Sequence, residues 1–358
     1  MSLKFELGSC VRAISKFSQC MKCVDICPVD TIILSNNIPS FTPSACIDCG
    51  GCVSICPSNA FSISEFSFIE FFFLFLESDD NIISTNQNIP SLGLLSVENL
   101  ISLANAKDNI EIDMFEVEIL KDYILSNIEE ANFILSSYSD REIKISYENN
   151  KNIKKEKVSS RREFLSNISL KEGVKHKANF DEKVIEDELK TFDIDLSNIS
   201  KIKDKYIPDS RKVLLTTFKR VEKPSSYEVL PQEEVSFISQ KYIEDSCTNC
   251  QICYRICPTR ALSSDAKFSI INFDSILCIK CHLCHDVCEL DSIKLQNGFE
   301  NSEFFEPRKR ALITFNIKRC NECGNNFTYF EGERVCPRCK IEEEESITLH
   351  QNAKNFIF

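Results

Sequence analysis

The 358-residue chain has no tryptophan, only 8 glycines and only 4 histidines. No two glycines are spaced as Gly-x-Gly, and none precedes a lysine. That excludes the dinucleotide fingerprint and the P-loop, whose glycines let backbone N–H groups approach phosphate. So few histidines leave no HExxH pair and no Ser-His-Asp set, and the CxxxCxxC pattern of radical chemistry does not occur. Basic residues are outnumbered 42 to 54, giving a net charge of −12 and a pI near 5.1. This argues against a nucleic-acid partner, because phosphate neutralisation needs surplus Lys and Arg. Long apolar runs are also missing. The richest, Phe66–Leu76 (FSFIEFFFLFL), has eleven residues and contains Glu70. A spanning helix needs about 20 residues, so this run is expected to be buried and not inserted in a membrane. The N-terminal MSLKFELGSCVRAISKF lacks an apolar signal region, which points to the cytoplasm.

What the chain does have is cysteine, 20 of them, in an otherwise ordinary soluble composition of 43% hydrophobic and 27% charged residues. In a long chain without an export signal they read as metal ligands in a reducing compartment, since disulfide frameworks belong to short secreted domains. Eight lie between Cys10 and Cys56, eight between Cys247 and Cys288, four between Cys320 and Cys339, and none between residues 57 and 246. The layout is an internal repeat around a cysteine-free middle, followed by a short cysteine-rich tail.

In that middle the hydrophobic period alternates. Asn81–Ser84 is a short apolar run. Ser96 can cap a helix bearing Val97, Leu100, Ile101 and Ala104 at helical spacing. Ile110, Ile112 and Met114 alternate as in a strand; Leu120, Ile124, Ile128, Ala131 and Leu135 return to helical spacing; Ile143, Ile145 and Tyr147 alternate again. This order predicts a small parallel sheet with helical crossovers. Residues 149–240 are more polar, with helices expected at Asp181–Phe192 and Asp209–Arg220, the latter capped by Asp209, and extended chain at Lys223–Pro231.

The most specific signal is Cys247-x2-Cys250-x2-Cys253-x3-Cys257-Pro258, followed by Cys278-x2-Cys281-x2-Cys284-x3-Cys288. A cubane of four irons and four sulfides needs four converging thiolates, and a tight loop supplies three at two-residue spacing. The fourth cysteine ligates the other cluster in two-cluster proteins. One cluster is therefore assigned to Cys247, Cys250, Cys253 and Cys288, and another to Cys278, Cys281, Cys284 and Cys257. These motifs resemble the bacterial-type two-[4Fe–4S] ferredoxin family; the departure is Glu289, where that family usually has proline. Cys278-x2-Cys281-His282 also matches a haem c attachment pattern, but both cysteines are already taken by the cubane register. His282 and His285 are read as exposed loop positions.

The first module repeats the scheme with a defect. Cys46-x2-Cys49-x2-Cys52-x3-Cys56-Pro57 is complete, whereas only Cys20-x2-Cys23-x3-Cys27-Pro28 precedes it, with Phe17 at the expected first position. The resemblance implies a ferredoxin fold over residues 1–65, with Cys46, Cys49, Cys52 and Cys27 at one site. The other would hold Cys20, Cys23 and Cys56, joined by Cys10, with Phe17 covering the cluster from solvent; a three-iron cluster is the competing view. Cys320-x2-Cys323 and Cys336-x2-Cys339, twelve residues apart, form two knuckles that suit zinc in a ribbon, or less readily iron. Ser160–Leu165 (SRREFL) resembles a twin-arginine export signature but sits mid-chain without an apolar segment after it, and reads as a Ser-capped helix start.

The expected architecture is α+β. Residues 1–65 and 241–300 form ferredoxin-like modules around an α/β insert (66–148) and a helical linker (149–240), followed by a zinc ribbon (301–345) and a tail (346–358). The expected cofactors are four [4Fe–4S] clusters and one zinc. With no catalytic constellation of its own, the chain reads as an electron-transfer protein serving a redox enzyme or electron carrier. The module order more weakly resembles iron–sulfur proteins that accompany formate dehydrogenases. A redox-sensing assembly or regulatory adaptor is the alternative.

Overall fold

The computed structural model describes residues 2–147 and 206–355. The expected helix at Asp181–Phe192 and the SRREFL motif lie outside the described residues.

In the first module, Leu3–Phe5 pairs antiparallel with Phe61–Ile63. Alternation sends Phe61 and Ile63 inward and leaves Lys4 and Ser62 exposed, and Phe5 and Phe61 meet at a ring separation of 4.9 Å. Between them, Ile32–Ser35 and Ile38–Phe41 form a hairpin. Its two-residue turn, Asn36-Asn37, has φ of 50° and 67°, the left-handed geometry that asparagine tolerates and a twisted hairpin requires. The second module repeats this plan. Lys241–Ile243 pairs with Ile293–Leu295, and Leu262–Ser264 pairs with Ile270–Asp274. Here the inner hairpin gains a third strand, Lys309–Thr314, from the chain beyond the module.

The insert holds three short strands, Ile82–Ile83, Glu111–Asp113 and Lys144–Ser146, paired in parallel in that order. Helix Val97–Ala106 starts at a capping box, in which Asn99 N–H donates to Ser96 Oγ (3.3 Å) and Ser96 N–H donates to Asn99 Oδ1 (3.1 Å). Nine of its ten residues are buried, because it is sandwiched between Lys121–Ser136 and Asp209–Phe218. The latter helix, from a linker expected to pack helices onto its neighbours, lies on the core of the insert. Asp209 is its first residue, not its cap, and pairs with Lys212 (2.9 Å). Arg211, 1% exposed, fastens three parts of the molecule. It pairs with Glu98 of the insert and donates to Phe237 O (3.0 Å) and to Cys278 O (2.9 Å) in the second module.

The apolar run forms helix Phe68–Glu77. Phe71, Phe72 and Phe75 are buried against Val97–Ala106 and Asp209–Phe218, so the run lies on the helices of the insert more than against the first module. Burying each ring stabilises the fold by about 1.5–3 kcal/mol. Lys107 Nζ closes the helix end by donating to Phe75 O (2.8 Å), Ser78 O (2.7 Å) and Asp80 O (2.7 Å). Among the described residues no helix is long and apolar enough to cross a membrane. At the C-terminal end, hairpin Ile317–Arg319/Asn326–Thr328 precedes helix Pro337–Asn355, which runs across the expected ribbon–tail boundary.

Candidate metal centres

Four short helices each carry one cysteine of the motifs: Lys22–Asp25 (Cys23), Gly51–Ser54 (Cys52), Ile252–Ile256 (Cys253) and Leu283–Asp286 (Cys284). Around them the structure gathers thiols from distant parts of each module. Cys27, Cys46, Cys49 and Cys52 line one cavity. Cys247, Cys250, Cys253 and Cys288 line a second, and Cys257, Cys278, Cys281 and Cys284 a third. The remaining quartet shows in its electrostatics. Cys10, 7% exposed, is raised by burial and further by Cys56 and Cys20. Cys23 is pushed up to about 12 by burial, then by Cys56, Cys20 and Cys10. The thiol of Cys10 thus lies near those of Cys20, Cys23 and Cys56. Phe17 is 61% exposed, with Lys16 Nζ 5.1 Å from its ring centre; the expected lid over the cluster is not formed.

Local backbone shapes these sites. In the three regular loops the residues on either side of the middle cysteine have positive φ. They are Asp48 (54°) and Gly50 (84°), Asn249 (54°) and Gln251 (70°), and Lys280 (45°) and His282 (61°). Such turns aim consecutive N–H groups into the concavity, which suits sulfide and thiolate. The N–H groups of Gly51, Asn249 and Leu283 oppose the burial-driven rise of Cys49, Cys247 and Cys281. The exit turns repeat as well, with positive φ three residues past the last cysteine at Asp30, Asn59, Arg260 and Asp291. There Ala60 N–H donates to Cys56 Sγ (3.3 Å) and Ser292 N–H to Cys288 Sγ (3.2 Å). The segment Ser18–Cys23 breaks the pattern, since neither Gln19 nor Met21 has positive φ.

The quartets adjoin one another. Cys52 is raised by burial, with Cys23 among the charges adding to the rise, and Cys253 likewise by burial and then Cys284. The modules meet where Gln19 N–H donates to Asp286 Oδ2 (3.0 Å). His282 and His285 are half-buried at this junction, contrary to the exposed positions expected. Burial, then Lys241, depresses both, to about 4 and about 3 respectively. His285 is therefore a neutral acceptor for Lys241 Nζ (2.8 Å).

The tail cysteines obey a different geometry. Cys320, Cys323, Cys336 and Cys339 place their sulfurs within 4.8 Å of one another, with Cys323 Sγ 3.7 Å from Cys336 Sγ. Zinc–thiolate bonds of about 2.3 Å give a tetrahedral edge of about 3.8 Å, so this group fits a single ion. Among the described residues no other set of three or more ligating atoms is so tightly drawn. The N–H groups of Cys323, Cys336 and Glu322 hold Cys320 below its ordinary value.

Sequence reasoning missed the residues that seat these loops. Arg211, and Lys280, whose Nζ donates to Gln232 O (2.9 Å) and to Val235 O, carry no pattern that marks them, and Gly50 and Gly93 are marked only by what packs against them. A Cβ at Gly50, besides its φ of 84°, would stand 2.6 Å from Leu94 Cγ, and one at Gly93 would stand 2.3 Å from Cys49 O. The insert is thus pressed onto the Cys46–Cys52 loop, where Ser91 Oγ also donates to Cys49 O (2.7 Å).

Comparison with known proteins agrees with this arrangement. A 4Fe-4S dicluster domain is matched over residues 18–61 and another over residues 240–296. Similar proteins include "Ferredoxin 7Fe" of Hydrogenibacillus schlegelii, 41% identical over 44 residues covering 12% of this chain and 56% of that protein. "Ferredoxin-1" of Caulobacter vibrioides is 44% identical over 52 residues, 14% of this chain and 42% of that protein. The chain spans about half the length of the curated relatives it matches. No solved structure matches it. The chain carries two 4Fe–4S dicluster domains and is ferredoxin-like over those two modules.

Proposed function

We propose that the protein is a cytoplasmic electron carrier with four [4Fe–4S] clusters and one structural zinc, working with a redox enzyme or a second carrier. The observation that carries this reading is the crossed grouping of thiols, in which the last cysteine of each motif lines the site of the other motif. The residues that would hold the clusters are Cys10, Cys20, Cys23 and Cys56; Cys27, Cys46, Cys49 and Cys52; Cys247, Cys250, Cys253 and Cys288; and Cys257, Cys278, Cys281 and Cys284. Zinc would lie among Cys320, Cys323, Cys336 and Cys339. A bound cluster supplies a one-electron couple whose potential follows hydrogen bonding to sulfur and exposure to solvent. The chain supplies N–H donors to the thiols, excludes water with Ile32, Phe61, Leu283 and Ile293, and brings the quartets side by side.

Iron and sulfide analysis of anaerobically purified protein, combined with an EPR-monitored redox titration, tests the reading. About sixteen irons and reversible one-electron steps are expected. A count of about eight would leave one module empty and overturn the four-cluster carrier. One similar protein is named a 7Fe ferredoxin. A three-iron signal assigned to the Cys10 site would carry that lower count over to this chain.

A further inference from the structure

The C-terminal metal site is built onto the second module. Strand Lys309–Thr314 extends the sheet of that module, and Phe315 N–H donates to Ser269 O (2.7 Å). Beyond it, hairpin Ile317–Arg319/Asn326–Thr328 carries Cys320 and Cys323 in its turn. Thr328, at the end of that hairpin, accepts a hydrogen bond on Oγ1 from Asn249 Nδ2 (2.9 Å), which also donates to Phe268 O (2.8 Å). Asn249 is 5% exposed, holds positive φ, directs its own N–H at Cys247 and immediately precedes Cys250. Of the sixteen cysteines in the two modules, Cys250 is the exposed one.

We propose that the Cys320/Cys323/Cys336/Cys339 metal site latches the most solvent-open iron–sulfur site, with Asn249 as the positioning residue and Thr328 as its anchor. This rests on the four-cluster reading above. A metal ion ties the hairpin turn to Cys336 and Cys339, and the hairpin in turn holds Thr328 against Asn249. Two side-chain hydrogen bonds then fix the position of Asn249 in the left-handed conformation that asparagine tolerates. Its backbone N–H stays aimed at Cys247, and the Cys247–Cys253 loop keeps the curvature that groups its thiols. Without the ion the anchor loosens, and the loop with the exposed cysteine is the first to open.

The test uses the full-length chain, wild type, Thr328→Val and Thr328→Ser, with zinc and after chelation. Valine keeps the β-branched shape that suits the hairpin and removes the acceptor, whereas serine restores it. Amide hydrogen exchange across residues 247–253 should be about tenfold faster in Thr328→Val and after chelation, and near wild type in zinc-bound Thr328→Ser. In the iron-bound protein one reduction potential should move in Thr328→Val and return in Thr328→Ser, the others staying in place. Unchanged exchange in both the valine variant and the zinc-free chain overturns the latch. Iron content is measured in parallel. A chain that takes up no iron, yet loosens this loop in Thr328→Val, keeps the latch and discards the electron-carrier reading.

Discussion

The two modules share a strand plan and differ at one loop, and that loop is where they meet. In the second module both cysteine loops carry the paired left-handed residues, and each supplies three thiols from seven consecutive positions. In the first module only the Cys46–Cys52 loop does so. The segment Ser18–Cys23 has lost both the first cysteine and the left-handed turns, and Cys10 enters from the head of helix Val11–Ile14. Arg12, 7% exposed, holds this altered segment from inside by donating to Cys20 O, Asn37 Oδ1 and Met21 Sδ. The Gln19 N–H donates to Asp286 across the junction. Where the motif lacks its first cysteine, the thiol of Cys10 comes in from outside it towards Cys20, Cys23 and Cys56, and the Ser18–Cys23 segment serves as a contact between the modules.

The largest expected effect comes from removing that replacement. Cys10→Ala should cost one cluster of the four, or convert it to a three-iron form visible by EPR, whereas Cys250→Ala probes a regular loop in the second module. Retention of every cubane with unchanged spectra in Cys10→Ala would remove the asymmetry argued above. Next is the buried pair that anchors the second module to the insert. Arg211→Met leaves Glu98 uncompensated and three carbonyls without their donor, and should lower stability by about 3–5 kcal/mol in denaturant unfolding. A loss under 1 kcal/mol would mean that the modules are held by apolar contact alone.

In the first module the corresponding fastening is steric. Gly93→Ala sets a methyl against Cys49 O, and a cost of about 1–3 kcal/mol is expected, with the spectrum of the adjacent site altered. A neutral result would show that the insert rides loosely on that loop. The smallest effect is a pH dependence in the second module. Burial, and then Glu303, raises Asp274 to about 6. Its folded value exceeds the ordinary carboxylate value, so this contribution to stability is complete below about pH 4 and is lost as pH rises towards 6. Asp274→Asn keeps an acceptor for Ile276 N–H and removes the buried charge. It should stabilise the protein at pH 7 by on the order of 1–2 kcal/mol and flatten the curve between pH 4 and 6; equal stability at pH 7 would contradict the assignment.

Much of the molecule was legible beforehand because its signals are local. Cysteine spacing within seven residues is a property of one turn, and it picked out the three thiols that each regular loop brings to one cavity. The Ser96 box and the alternation at Ile110, Ile112 and Met114 likewise need only neighbours in sequence. What was misread depended on partners far away. The Asp209–Phe218 helix was expected, but not which neighbour it covers, because its buried face is explained only by the insert helix beneath it. His282 and His285 looked exposed because nothing nearby in sequence announces Lys241 or the other module.

By itself, then, the order of residues determined which thiols could serve one turn, where helices and strands begin, and that the tail cysteines form two knuckles. Only the tertiary structure decided that Arg211 bridges insert and module, and that Thr328 rests on Asn249. Those contacts join residues 67 to 113 positions apart. Spacing along a chain carries no information about such separations, whereas close packing of buried groups admits few alternatives once the elements have met.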